Sequence, residues 1–240
     1  MRLFSCSTSA DYNSSRTLLI QFCFVVLTLD INRSYALKGG CYTSQMNIFY
    51  IVRHGETENN RAKRLSGWID TALTEDGLKP TEKVIAKLSG LRIDEVYSSD
   101  MGRAFITAYT VARGLDFKKD LKRLPGLREV NYGDAANMPS TKAYELYPKL
   151  DRNTHYTPPN GESLDHMQKR VFQTIDELNN KHKDAVIVLV CHSGVMAALK
   201  ASHIGQDFGK HNISEAYPHD YVGKFTFANG GVISFEEFQG

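Results

Sequence analysis

The run Ala185-Val-Ile-Val-Leu-Val190 carries no polar side chain. In an extended chain successive side chains point to opposite faces of a sheet, so both faces of this strand must be covered. That places it inside a layered structure with helices above and below, the usual setting of a parallel sheet. The chain from Met46 onward agrees. Asn47-Ile-Phe-Tyr-Ile-Val52 reads as a second buried strand, and Glu95-Val-Tyr97 as a short third. Helical periods fall between them. Thr74, followed by Glu75 and Asp76, predicts an N-cap for a helix reaching Leu88, with Pro80 disturbing that start. Gly102 to Ala112 places Ala104, Ala108 and Val111 on one side of a helix, and a further helix is expected from Ser163 to about Lys181. Tyr221 to Phe227 and Val232 to Phe238 flank Asn229-Gly230-Gly231 and predict a hairpin at a sheet edge. The expected fold is α/β, a three-layer α/β/α sandwich with a mostly parallel central sheet and an antiparallel edge hairpin.

With 240 residues, 42% of them hydrophobic and 23% charged, the chain is long enough for one main domain with its own core. The 29 basic residues nearly balance the 27 acidic ones. Neither nucleic acid nor an anionic membrane is therefore an expected partner. Residues 1–45 differ in character. Leu18 to Leu29 is apolar but too short to span a bilayer. It could serve as the core of a secretory signal, with Arg2 and Arg16 before it and Ser34-Tyr35-Ala36 as a cleavage site, although Asp11 and Gln21 weaken that pattern. The favoured reading is that Met46 is the true start, which makes 1–45 an extension outside the domain at 46–240 and the protein cytoplasmic. Secretion follows only if residues 1–36 act as a signal peptide. Of the four cysteines, Cys6, Cys23 and Cys41 precede Met46, and Cys191 ends an apolar run where a buried, inert thiol is expected.

The chemistry concentrates at two strand ends. Arg53-His54-Gly55-Glu56-Thr57 follows the first strand, and Cys191-His192-Ser193-Gly194 follows the strongest one. Loops at the carboxyl ends of strands are where open α/β sheets bind ligands. The two histidines can share one site if their strands are neighbours. Arg53 offers a guanidinium that matches phosphate oxygens, and Gly55 is read as leaving room for backbone approach to a ligand. Ser98-Ser-Asp-Met-Gly-Arg103-Ala104 runs from a strand into a helix and adds another arginine. Arg53, Arg103, His54 and His192 would together form an anion site in a chain that is otherwise nearly neutral.

These residues, in this order, resemble the histidine phosphatase superfamily, also called the phosphoglycerate mutase-like family. The resemblance runs from Met46 almost to the C-terminus. It comprises Arg53 to Thr57, Asn60, Ser66-Gly67-Trp68 with Asp70, Leu73 to Gly77, Ser98 to Ala104, Leu127-Arg128-Glu129, Gly161-Glu162-Ser163 and His192. By this resemblance His54 would be phosphorylated, Arg53, Asn60, Arg103 and His192 would hold the phosphoryl oxygens, and Glu129 would be the proton donor. Ser66, Gly67 and Tyr132 would belong to the substrate pocket, with aromatic core an equal reading of Tyr132. The chemistry is sound in itself. A neutral imidazole can attack phosphorus if its other nitrogen is held by a hydrogen bond, and arginines stabilise the charge that gathers on the equatorial oxygens. No metal or other cofactor is expected. His155, His166, His182, His203, His211 and His219 follow no metal-ligand spacing and are assigned to surface or loop. Trp68 reads as packing or pocket wall, and Glu162 as a carboxylate placed for a helix dipole.

The reading favours a metal-independent phosphatase acting on phosphomonoesters of a small metabolite, either as a monomer or as a homodimer. In the family's mutases the glutamate element runs into a lysine-bearing stretch and an insertion with paired arginines. Here no lysine occurs between Glu129 and Lys142, and Arg152 is the only arginine from there to Gly161. Many of the phosphatases carry Trp-Glu-Gly where this chain has Ala135-Ala136 after Gly133-Asp134, which leaves the substrate open. A 2,3-bisphosphoglycerate-dependent mutase, or a non-catalytic member that binds a phosphorylated or protein ligand, are the alternatives.

Overall fold

Tyr50 and Val52 point to one face of the first strand, Phe49 and Ile51 to the other, and all four are buried. This two-sided burial organises the molecule. The computed structural model describes residues 46–150, 153–203, 217–228 and 231–240, all in one compact unit. The extension at 1–45 with its signal and start-site readings, the first three cysteines, Arg152, His211 and the Asn229-Gly230 turn lie outside the described residues.

The elements are β1 (Asn47–Arg53), α1 (Glu58–Arg61), α2 (Pro80–Leu88), β2 (Glu95–Ser99), α3 (Gly102–Gly114), β3 (Lys122–Leu124), α4 (Ser140–Leu146), α5 (Leu164–Lys181), β4 (Val186–Cys191), α6 (Ser193–His203), β5 (Val222–Ala228) and β6 (Gly231–Glu237). They build one sheet in the order β3-β2-β4-β1-β5-β6. The apolar strand β4 sits between β2 and β1 and is parallel to both. β5 runs antiparallel to β1, and β6 antiparallel to β5, closing that edge with the expected hairpin.

Helices cover both faces. Val84 and Leu88 of α2 and Ala104, Ala108 and Val111 of α3 pack against Tyr50, Val52, Val188 and Val190. Met167, Val171, Ile175 and Leu178 of α5, with Val195 to Leu199 of α6, pack against Phe49, Ile51, Ile187 and Leu189. The three- and four-residue spacing of the α5 set makes a single apolar stripe. Each such buried side chain contributes about 1.5–3 kcal/mol of transfer free energy. Ser163 caps α5 by accepting from the His166 amide at 3.2 Å, as the sequence predicts for that helix start. Among the described residues, no helix is long and apolar enough to cross a membrane.

One predicted helix start moves. α2 begins at Pro80, in the first turn where proline's missing N–H costs nothing, and Thr74 is not its cap. Thr74 instead clasps the loop after β1. Its amide donates to the Glu56 carbonyl and its hydroxyl to Glu56 Oε1, both at 2.9 Å. The Glu56 amide in turn donates to the Gly77 carbonyl at 3.2 Å. Leu73 to Gly77 is thus a brace under the first motif.

Candidate active site

Because β1, β4 and β2 are parallel neighbours, their carboxyl ends open onto one edge of the sheet, with Arg53 opposite Cys191 and Ser98 opposite Val190. The residues just beyond these strands therefore meet. The His54 amide donates to the Cys191 carbonyl at 3.0 Å, and the His54 and His192 ring centroids stand 5.0 Å apart. Arg103 arrives from the first turn of α3, whose amides at Gly102 and Arg103 both donate to the Asp70 carboxylate. Asp70 thus caps α3 from a distant loop, a favourable place for a negative charge.

His54 is 4% exposed, and its Nδ1 pairs with the Gly55 carbonyl at 2.7 Å. A carbonyl only accepts, so Nδ1 carries the proton and Nε2 keeps its lone pair. Burial first, then the nearby Arg103 and Arg53 charges, hold the His54 pKa well below the ordinary imidazole value, and His192 is lowered by burial and by Arg103 in the same way. Both rings are neutral at neutral pH. Arg53 is pushed down to about 10, mainly by burial, and so remains a cation. Arg103 is 2% exposed; its Nη2 donates to the Gly67 carbonyl at 2.8 Å and its Nη1 to the Ile69 carbonyl at 2.9 Å. Nη2 also stands 3.4 Å from His192 Nδ1, which as an acceptor there leaves the proton on Nε2. Arg53 Nε, Arg103 Nε, His192 Nε2, Ser66 Oγ and Ser193 Oγ are buried without a hydrogen-bond partner among the described residues. Each such donor costs about 1–3 kcal/mol when unmet, so a cluster of them favours an anion that accepts from several at once.

Asn60 is oriented by the cap of α1. Its Oδ1 accepts from the Thr57 amide at 3.1 Å and the Thr57 hydroxyl at 3.0 Å, which turns the Nδ2 donors away from Thr57. Glu129 Oε1 accepts from the Val130 amide at 2.9 Å and Oε2 from the Gly194 amide at 3.1 Å, at the start of α6. Arg53, His54, Asn60, Ser66, Gly67, Arg103, Glu129 and Tyr132 line one cavity of about 440 Å³. Of the sequence-predicted residues only His192 stands behind this lining, fully buried against His54 and Arg103. Among the described residues, no group of three His, Cys, Asp or Glu is placed to hold a metal ion.

The profile of the histidine phosphatase superfamily (branch 1) matches residues 49–229. The chain belongs to that superfamily. It is 33% identical over 156 residues to phosphoglycerate mutase-like protein 4 of Arabidopsis thaliana, covering 62% of this chain and 67% of that protein. It is 31% identical over 163 residues to the metal-independent phosphoserine phosphatase of the same plant, covering 65% of this chain and 68% of the relative. Among solved structures, YhfR of Bacillus stearothermophilus superposes with a TM-score of 0.68 at 24% identity, over 78% of this chain and 94% of that one, a likeness of fold.

The structure corrects several readings of this superfamily member. Gly55 meets a packing demand that the sequence did not show: a β-carbon there would lie 2.3 Å from the Gly77 carbonyl oxygen, and one on Gly77 2.3 Å from the Glu56 carbonyl oxygen. The two glycines let the motif loop and its brace touch. His219 is not a surface or loop bystander. Its Nδ1 donates to the His54 carbonyl at 2.6 Å, its ring lies 5.9 Å from His54, and it lines the cavity. It precedes β5, and only the antiparallel pairing of β5 with β1 brings it there. Glu162 does not serve a helix dipole but forms an ion pair with Arg170, at 2.6 Å and 3.1 Å, and accepts from the Asn131 amide. Arg170 in turn donates to the carbonyls of Gly126, Arg128 and Glu129. The Trp68 indole donates to the Glu129 carbonyl at 2.8 Å, and Arg128 stacks on its ring. Trp68 is thus a brace for Glu129. Cys191 is fully buried and its thiol is pushed up by desolvation, as the inert reading expected.

Proposed function

We propose that this chain is a phosphatase that hydrolyses phosphomonoesters through a phosphohistidine on His54, with Glu129 as the proton donor. The observation that carries it is the His54 Nδ1–H bond to the Gly55 carbonyl in a neutral ring that shares a cavity with two buried arginines and the Glu129 carboxyl group. Nε2 attacks phosphorus while the ester oxygen departs with the proton of the Glu129 carboxyl. Glu129, now a carboxylate, takes a proton from the water that attacks the phosphohistidine. The P–N bond breaks, inorganic phosphate leaves, and His54 returns to its neutral form. Arg53, Arg103, Asn60 and His192 Nε2 supply the donors for the oxygens that gain charge in both steps. No step calls for a metal. The metal-independent phosphoserine phosphatase among the relatives supports this reading. A small phosphorylated metabolite fits a cavity of this size, within the roughly 300–1,000 Å³ typical of small-molecule sites.

The test is phosphate release from p-nitrophenyl phosphate and a panel of phosphorylated metabolites in the presence of chelator. Wild type is expected to turn over, His54→Ala to be inactive, and Glu129→Gln to lose about 10²–10⁴-fold, the usual worth of general acid–base catalysis. Conversion of 3-phosphoglycerate to 2-phosphoglycerate faster than its hydrolysis would make the chain a mutase instead.

A further inference from the structure

The cavity has basic residues at two places. Arg53 and Arg103 are buried beside the histidines, whereas Lys63 and Arg64 are exposed at the rim and line the same cavity. Its acidic lining residues are otherwise engaged: Glu56 by Thr74 and Arg61, Glu129 by two backbone amides. The Lys63 ammonium makes no hydrogen bond or ion pair among the described residues. Its backbone is unusual as well. Lys63 has φ 52°, and the other non-glycine residues at positive φ among the described residues are Asp116, Asn137, Asn160 and Asp184. Aspartate and asparagine tolerate this conformation, whereas a lysine just past the cap of a short helix stands where glycine or asparagine is the ordinary choice. The strand-like contact with residues 137–140 holds it there. The Ser140 amide donates to the Lys63 carbonyl at 2.9 Å, and Arg64 Nη1 to the Asn137 carbonyl at 2.6 Å.

On the phosphatase reading, one phosphoryl group occupies the histidine end. A substrate that fills the cavity then meets Lys63 at its rim. A neutral group would strip water from the ammonium and return nothing, whereas an anion would be paired by it. We propose that Lys63, with Arg64 beside it, forms a second anion subsite that selects phosphomonoesters carrying a further anionic group, a carboxylate or another phosphate. Ser140 and Tyr144 also line the cavity and carry no charge at neutral pH, so the second charge is met from the loop after α1.

The test compares matched esters. 3-Phosphoglycerate and glycerol 3-phosphate differ by a carboxylate against a hydroxymethyl group; fructose 1,6-bisphosphate and fructose 1-phosphate differ by a phosphate against a hydroxyl. In the wild type, kcat/KM is expected to favour the doubly anionic member of at least one pair, and the pair that responds names the anion. Lys63→Asn, which suits the positive φ, is expected to reduce that preference about threefold to fivefold, the upper scale of one exposed ion pair, while Lys63→Arg retains it. Equal use of both members by the wild type, or an unchanged ratio in Lys63→Asn, would overturn the subsite and leave the phosphatase reading standing. If no ester is hydrolysed, that reading fails on its own, and the same ratios taken from calorimetric Kd values decide the subsite.

Discussion

Gly194 lets α6 begin directly against the Glu129 carboxyl, for a β-carbon there would lie 2.1 Å from Glu129 Oε1. Gly194→Ala should therefore push the carboxyl off its position while leaving the phosphoryl end untouched. The expected result is a fall in kcat of about 10²-fold, the cost of a displacement near 1 Å, with a smaller change in KM, read by steady-state kinetics. His54 and His192 carry a second consequence at this scale. Burial and Arg103 lower both pKa values in the folded chain, whereas the unfolded chain protonates each near the ordinary value. Below about pH 6.5 the unfolded state then binds more protons, so stability is complete above that value and falls as the pH drops beneath it, by up to about 1.4 kcal/mol per unit for each ring. Urea unfolding of the wild type and His192→Asn between about pH 5 and 8 should give a shallower slope in the variant. Identical slopes would remove the buried ring as the cause. The residue types of this site were legible from two motifs at strand ends. His219 was not, since a lone histidine after a proline carries no signal until its neighbour across the sheet is known.

At the scale of elements, Arg170 ties α5 to the segment that bears Glu129. One guanidinium reaches three carbonyls and the Glu162 carboxylate, and both side chains are largely buried, at 21% and 14% exposed. Removing one partner leaves a charge and several acceptors unmet. Arg170→Ala is expected to cost about 3 kcal/mol or more in urea unfolding and to lower kcat through the loosened Glu129 main chain. A variant as stable as wild type would show that water replaces the guanidinium freely. The helix over Ser163 to Lys181 was readable from its periodicity, but its role was not, because periodicity reports the buried stripe and Arg170 lies at its edge. The same limit explains Thr74. A threonine before two acidic residues has the pattern of a cap, and Pro80 decided where the helix could begin, freeing Thr74 to bind Glu56.

For the molecule as a whole, strand order converts scattered motifs into one site, with β4 between β2 and β1. A ligand held only by the folded arrangement should stabilise all of it. Inorganic phosphate at about 100 times its Kd is expected to add about 2.7 kcal/mol to the unfolding free energy and to raise Tm accordingly. Arg103→Met should lose most of that gain, as scanning calorimetry with and without phosphate would show; an undiminished gain would place the anion elsewhere. By itself the sequence determined the layered α/β class, since an all-apolar strand needs cover on both faces and helical periods fall between the strands, and it named the residues proposed for the anion site, which cluster in motifs at strand ends. Only the tertiary structure decided what stands beside them: the paired glycines at 55 and 77, His219 against His54, the Arg170 brace behind Glu129 and Lys63 at the rim. These are contacts between segments far apart in the chain, and their partners are set by strand order and packing, which no local pattern encodes.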